Sequence, residues 1–177
     1  ELQNFMNKMG AEICGAGTST VIISGRDKLS GTEWTVMPDR IEAGTLILAA
    51  AVTGGEVFVR GARADCMEAF LSCMKTCGGA IDVPTDLQSH LLAAMAASDG
   101  VSVIEENIFE DRFKVLKPLR LMGADITLCG RSACVNGVGR LHGARVRAED
   151  LRGGAALVIA ALAAEGETMV ENIGLID

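Results

Sequence analysis

Residues 84–108 read PTDLQSHLLAAMAASDGVSVIEENI. An acidic, hydroxyl-bearing start leads into small apolar residues, a break at Gly100 and an alternating run, which together predict a helix, a tight turn and a strand. The same order recurs at 38–62 (PDRIEAGTLILAAAVTGGEVFVRGA) and at 148–173 (AEDLRGGAALVIAALAAEGETMVENI). A second unit also repeats: residues 6–31 (MNKMGAEICGAGTSTVIISGRDKLSG) match 119–143 (LRLMGADITLCGRSACVNGVGRLHG) as helix end, strand, turn and strand. Joined, they form a βαβαββ-like module of roughly 60 to 70 residues, in which each unit buries its apolar face against its neighbours. The fold class is therefore α/β, or α+β where the hairpins dominate.

The repeat has one irregular interval. Gly10 precedes Asp39 by 29 residues and Gly123 precedes Asp150 by 27, but Gly78 precedes Asp86 by only 8. A helix and a strand are present there, but the hairpin that should follow them is missing. The spacing implies that about 20 or more residues are absent between Ile81 and Pro84. An irregular repeat is the alternative.

Composition narrows the class of function. The chain has 177 residues, 49% of them hydrophobic and 22% charged, enough for a packed core. Only 3% are aromatic, so that core must rest on Ala, Val, Ile, Leu and Met. A net charge of −7 argues against a general nucleic-acid or membrane-surface role, because phosphate backbones demand a basic face. No apolar run is long enough to span a bilayer, and no signal peptide is apparent. Both ends look cut from something longer. The six cysteines (Cys14, Cys66, Cys73, Cys77, Cys129 and Cys134) contain no CxxC pair. They read as reduced, semi-buried residues, with Cys73 and Cys77 on one helix face. His90 and His142 stand alone, so no metal site is expected.

Asp39, Asp86 and Asp150 occupy equivalent helix starts, where a carboxylate is a favoured cap. Asp39 with Glu42 has the spacing of a capping box. Asp86 differs, because Thr85 and Gln88 can form their own T-x-x-Q box, leaving the Asp86 side chain free for chemistry. Two arginines are placed where the repeat changes direction. Arg112 follows the strand ending in EENIFED, and Arg152 lies in the first turn of the helix that Asp150 opens. An arginine there opposes the helix dipole, and a bound carboxylate or phosphate would account for it. Gly153 and Gly154 would let such a ligand approach the backbone. A free carboxylate beside two placed arginines suits an anionic small molecule.

The segments PDRIEAGT, PTDLQ, NIFEDRF, MGADI and DLRGGAALVIAALAAEG closely resemble the UDP-N-acetylglucosamine 1-carboxyvinyltransferases, an enolpyruvyl transferase family. The resemblance runs in order along essentially the whole chain. It implies two domains, each an inside-out α/β barrel built of βαβαββ units, incomplete here. Residues 1–37 would be the end of the catalytic-loop domain, and 38–177 most of the other domain, with the gap between Ile81 and Pro84.

The resemblance also implies a reaction. The family transfers the enolpyruvyl group of phosphoenolpyruvate to the 3-hydroxyl of UDP-N-acetylglucosamine, releasing phosphate, at the commitment to peptidoglycan synthesis. By motif, Asp86 is the base for the sugar hydroxyl, and Arg112 and Arg152 face phosphoenolpyruvate. Ile108 and Phe109 contact the nucleotide sugar, and Asp150 lines the same cleft. No cofactor or metal is implied, and a monomeric cytoplasmic enzyme is expected, with no nucleic-acid or membrane partner. The family's general acid, a loop cysteine, has no counterpart among the six present, so this chain alone is expected to be inactive. Two alternatives stand beside this reading: the related 3-phosphoshikimate 1-carboxyvinyltransferases, and a non-catalytic repeat scaffold that binds an anionic metabolite.

Overall fold

The structure, a computed structural model, describes residues 1–76 and 85–175. It divides into two compact units, Glu1–Pro38 and Asp39–Asp177. In the first, helix α1 (Leu2–Lys8) is followed by strands β1 (Glu12–Cys14) and β2 (Ile22–Ser24), which pair antiparallel with Ile13 opposite Ile23. Asn7 fastens the hairpin to the helix by exchanging hydrogen bonds with the backbone of Ile13. Trp34 closes the unit. Its ring meets Phe5 edge-on at 5.7 Å, the Lys8 ammonium lies 5.8 Å from its centroid, and its Nε1 donates to Glu1 Oε1.

The second unit contains α2 (Arg40–Thr53), α3 (Glu68–Thr76), α4 (Gln88–Ala96), β3 (Asp99–Glu105), α5 (Leu116–Leu121), β4 (Asp125–Cys129) and β5 (Ser132–Val138). These are followed by β6 (Leu141–His142), β7 (Arg145–Arg147), α6 (Leu151–Leu162), β8 (Ala164–Glu165) and β9 (Met169–Glu171). The helices predicted from the three repeats are α2, α4 and α6, and they pack on one another. Leu48, Leu91, Leu92, Leu157 and Ile159 meet between them, fully buried. Asp39 caps α2 by accepting from Ile41 N, and Gly54 ends it in the left-handed conformation at φ 66°, where an L side chain would be strained.

The predicted hairpin is β4–β5, and β3 joins it to give the antiparallel order β3-β5-β4. Ile104 lies opposite Ala133, and Ile126 opposite Val135. These four side chains are buried on one face while Val101 and Val103 are exposed on the other, the alternation that a half-covered sheet dictates. Two short parallel pairs, β6 with β8 and β7 with β9, bracket α6.

Several expectations change. The run EVFVR at 56–60 was expected to be the first repeat's strand, yet no strand forms there, and none of the described strands pairs with it. Cys14 and Cys129 are exposed, whereas Cys73 is buried and Cys66 and Cys134 are intermediate; these five are free thiols. Cys77, and the proposed junction between Ile81 and Pro84, lie outside the described residues. No helix among the described residues is long and apolar enough to cross a membrane.

The contact between α2 and the turn ahead of α4 is tight. A Cβ built on Gly44 would lie 2.9 Å from Leu87 Cδ1, and Leu87 is itself buried beside Asp86. Alanine gains about 1 kcal/mol in helix propensity, whereas overpacking costs about 1–3 kcal/mol. Gly44→Ala is therefore expected to destabilise the second unit by about 1 kcal/mol, read by urea unfolding followed by far-UV circular dichroism.

Candidate active site

The starts of the three repeat helices converge on one carboxylate. Asp86 sits in the turn at 85–87, just ahead of α4, rather than inside a helix. Arg152, the second residue of α6, donates from Nε at 3.0 Å and from Nη2 at 2.6 Å to Asp86 Oδ1. Arg40, the first residue of α2, donates from Nη2 at 3.2 Å to Oδ2. Both carboxylate oxygens are thus engaged, each from a different helix. The dipole-opposing position of Arg152 is accounted for by Asp86 itself.

Thr85 does not cap α4. The helix begins at Leu87 without a side-chain cap, and the Thr85 hydroxyl donates instead to Glu106 Oε2. Glu106, just past β3, is only 4% exposed. Its Oε1 accepts from the amides of Ile108 at 2.8 Å and Phe109 at 3.1 Å. Burial pushes this carboxyl up, but the Thr85 hydroxyl, the two amides and the nearby Arg112 guanidinium hold it below the ordinary glutamate range. Glu106 therefore ties the Asp86 turn to the loop carrying Ile108, Phe109 and Arg112. In that loop Asp111 takes φ 63°, and the Arg112 guanidinium stacks 4.5 Å from the centroid of Phe109. Ile108 and Phe109 are exposed, and Arg112 has no carboxylate partner among the described residues.

A cleft of about 380 Å³ opens beside this cluster, lined by Asp39, Ile41, Glu42, His90, Leu151 and Arg152 among others. His90 is 1% exposed, and its Nδ1 has no hydrogen-bond partner among the described residues. Burial, and then the charge of Arg152, push its pKa down to about 4 against an opposing pull from Asp86, so the imidazole is neutral near pH 7. Asp150, expected on the same cleft, caps α6 by accepting from Gly153 N at 2.7 Å and lines a separate small hollow with Lys114 and Arg147. Gly153 and Gly154 are buried in packing rather than open to a ligand. The structure thus joins Asp86 to Arg152 and, through Glu106, to Ile108, Phe109 and Arg112. Arg40, His90 and Glu106 were not anticipated. For His90 the available signal was an imidazole in an otherwise apolar helix.

The EPSP synthase model, described as 3-phosphoshikimate 1-carboxyvinyltransferase, matches residues 1–84 and 80–177. The chain belongs to this family. It is 44% identical over 203 positions to UDP-N-acetylglucosamine 1-carboxyvinyltransferase 3 of Caldanaerobacter subterraneus, covering all of this chain and 49% of that protein. It is also 44% identical to a protein of Desulfofundulus thermocisternus with the same enzyme name, covering 84% of it. The chain thus spans about half the length of most of these relatives. Its fold is the enolpyruvyl transferase fold. The enolpyruvyl transferase NikO from Streptomyces tendae superposes with a TM-score of 0.78 at 24% identity, over 96% of this chain and 47% of that one. An EPSP synthase from Acinetobacter baumannii gives 0.74 at 20% identity, over 98% and 50%.

Two outcomes test this geometry. Glu106→Leu strands three donors that the carboxylate now satisfies, at about 1–3 kcal/mol for each one left unpartnered. Amide exchange at Ile108 and Phe109 should quicken selectively. His90 gives a pH signature. Because its folded pKa lies below its unfolded one, the unfolded chain binds the extra proton, and stability falls as pH drops from 6.5 to about 4. The loss approaches about 3 kcal/mol at the foot of that window. His90→Gln should flatten this slope in urea unfolding series across pH.

Proposed function

We propose that the chain forms one substrate-binding half of an enolpyruvyl transferase acting on phosphoenolpyruvate and UDP-N-acetylglucosamine. The observation that carries the reading is the Asp86 carboxylate held between Arg40 and Arg152 and linked through Glu106 to the loop of Arg112. The names of the relatives supply the substrates. In this reading the residues at 1–37 end the catalytic-loop domain and 38–177 make most of the other. The division at Pro38 is consistent with that boundary. The relatives align over 203 positions against 177 residues here, 26 more, and the family match is split at 80–84. Both support a missing hairpin between Ile81 and Pro84.

Chemically, Asp86 takes the proton of the sugar 3-hydroxyl as its oxygen bonds to C2 of phosphoenolpyruvate. A proton delivered to C3 completes a tetrahedral intermediate, which then loses phosphate and a C3 proton to restore the double bond. The donor for C3 is the family's loop cysteine, carried by the other half. With both Asp86 oxygens bound to arginines, the base is released when an anionic substrate draws a guanidinium away. In this reading Arg152 makes that exchange, and Arg112, which has no carboxylate partner among the described residues, meets the phosphate or carboxylate of phosphoenolpyruvate. Ile108 and Phe109 present exposed groups to the nucleotide sugar, and Asp150 positions Arg152 by capping α6. A monomeric cytoplasmic enzyme of peptidoglycan synthesis follows from this reading.

In the enzyme of which this chain forms about half, Asp86→Asn should lower phosphate release at least about 100-fold. UDP-N-acetylglucosamine binding, read by calorimetry, should change by only about threefold. Unchanged turnover would remove Asp86 as the base. Phosphate release with shikimate 3-phosphate in place of the nucleotide sugar would reassign the substrate.

A further inference from the structure

The first and second repeats of the Asp39–Asp177 unit carry the same signals but reach different ends. After α4, β3 pairs with β5 along seven residues, from Asp99 opposite Val138 to Glu105 opposite Ser132, and β5 also packs on α4. After α2, the run Glu56-Val57-Phe58-Val59-Arg60 has the same alternation. Val59 packs on the core, as Ile104 of β3 does. No residue of 56–60 makes a backbone hydrogen bond among the described residues, and Phe58 is 88% exposed. A row of unpaired amides and carbonyls between apolar side chains is a template for strand addition. An apolar groove of about 290 Å³ also lies between the first and second repeats, lined by Leu48 and Val52 of α2, Cys73 and Met74 of α3, and Leu91 and Met95 of α4.

We infer that this repeat is an acceptor site for a β-hairpin supplied in trans, with residues 56–60 taking the part that β3 takes beside β5. The occupant is a two-stranded segment of alternating apolar and polar residues, one strand of which lies beside 56–60 as β5 lies beside β3. Its size follows from the 26 aligned positions that the relatives have beyond this chain's residues, and its place from the split of the family match at 80–84. The inference rests on the missing-hairpin reading and is independent of the transferase reaction.

The test titrates the 177-residue chain with a synthetic peptide carrying the Caldanaerobacter relative's sequence across the unmatched positions. Backbone exchange at 56–60 is read by mass spectrometry, and assembly by sedimentation. One peptide per chain should slow exchange at 56–60 by about tenfold or more, leaving 99–105 unchanged. Val57→Pro, which removes a ladder donor from an unpaired segment, should abolish the slowing while circular dichroism stays constant. No slowing at saturating peptide, equal slowing by a scrambled peptide, or protection already present in a self-associated chain would each overturn the acceptor site. Inserting the same residues between Ile81 and Pro84 separates the two readings. Slow exchange in the insertion variant alone leaves the missing hairpin standing and removes the trans acceptor, whereas slow exchange in neither removes both.

Discussion

Asp86 is where three helices meet, and the geometry of the site follows from the need to neutralise it. A carboxylate drawn to the start of α4 gains from the partial positive charge of unpaired helix amides. Here it also takes a guanidinium from α2 and another from α6. Each arginine is placed by its helix, and each helix by its repeat. The packing of α2, α4 and α6 and the assembly of the ion cluster are therefore one constraint seen from two sides. If the helices slid by one turn, about 5.4 Å, Arg40 and Arg152 would lose the carboxylate together.

Glu106 extends that constraint to the neighbouring loop. Its burial would be costly without three donors, and those donors come from the two segments that must be held in register, Thr85 on one side and Ile108 with Phe109 on the other. The stacked pair of Phe109 and Arg112 is presented from this tie. The loop is thus anchored through its backbone amides, while the Ile108 and Phe109 side chains stay exposed.

The sequence disclosed what depends on local order. The repeat predicted α2, α4 and α6, the β4–β5 hairpin, and the helix-start positions of Asp39 and Asp150, because capping and apolar periodicity act over a few residues. It placed Asp86 outside the capping role for the wrong reason. The Thr85 box was expected, but the hydroxyl is taken by Glu106, 21 residues away. That competition between a local cap and a distant buried carboxylate leaves no trace in spacing. Arg40 and His90 escaped notice similarly, since their meaning comes from helices that are adjacent only after folding. At 56–60 local preference was right for a strand, and strand formation failed because alternation supplies side-chain packing but not a hydrogen-bonding partner.

The aromatic economy of the chain has a spectroscopic consequence. Trp34 is its one tryptophan and there is no tyrosine. That indole is enclosed by Phe5, Lys8 and Glu1, all within Glu1–Pro38. Tryptophan emission therefore originates in this smaller unit. The unit that holds Asp86 has only phenylalanine among aromatic residues, so it contributes no tryptophan or tyrosine emission of its own. A fluorescence midpoint and a circular dichroism midpoint measured on one sample are readings of two different bodies, and their separation directly measures how far the two units unfold independently.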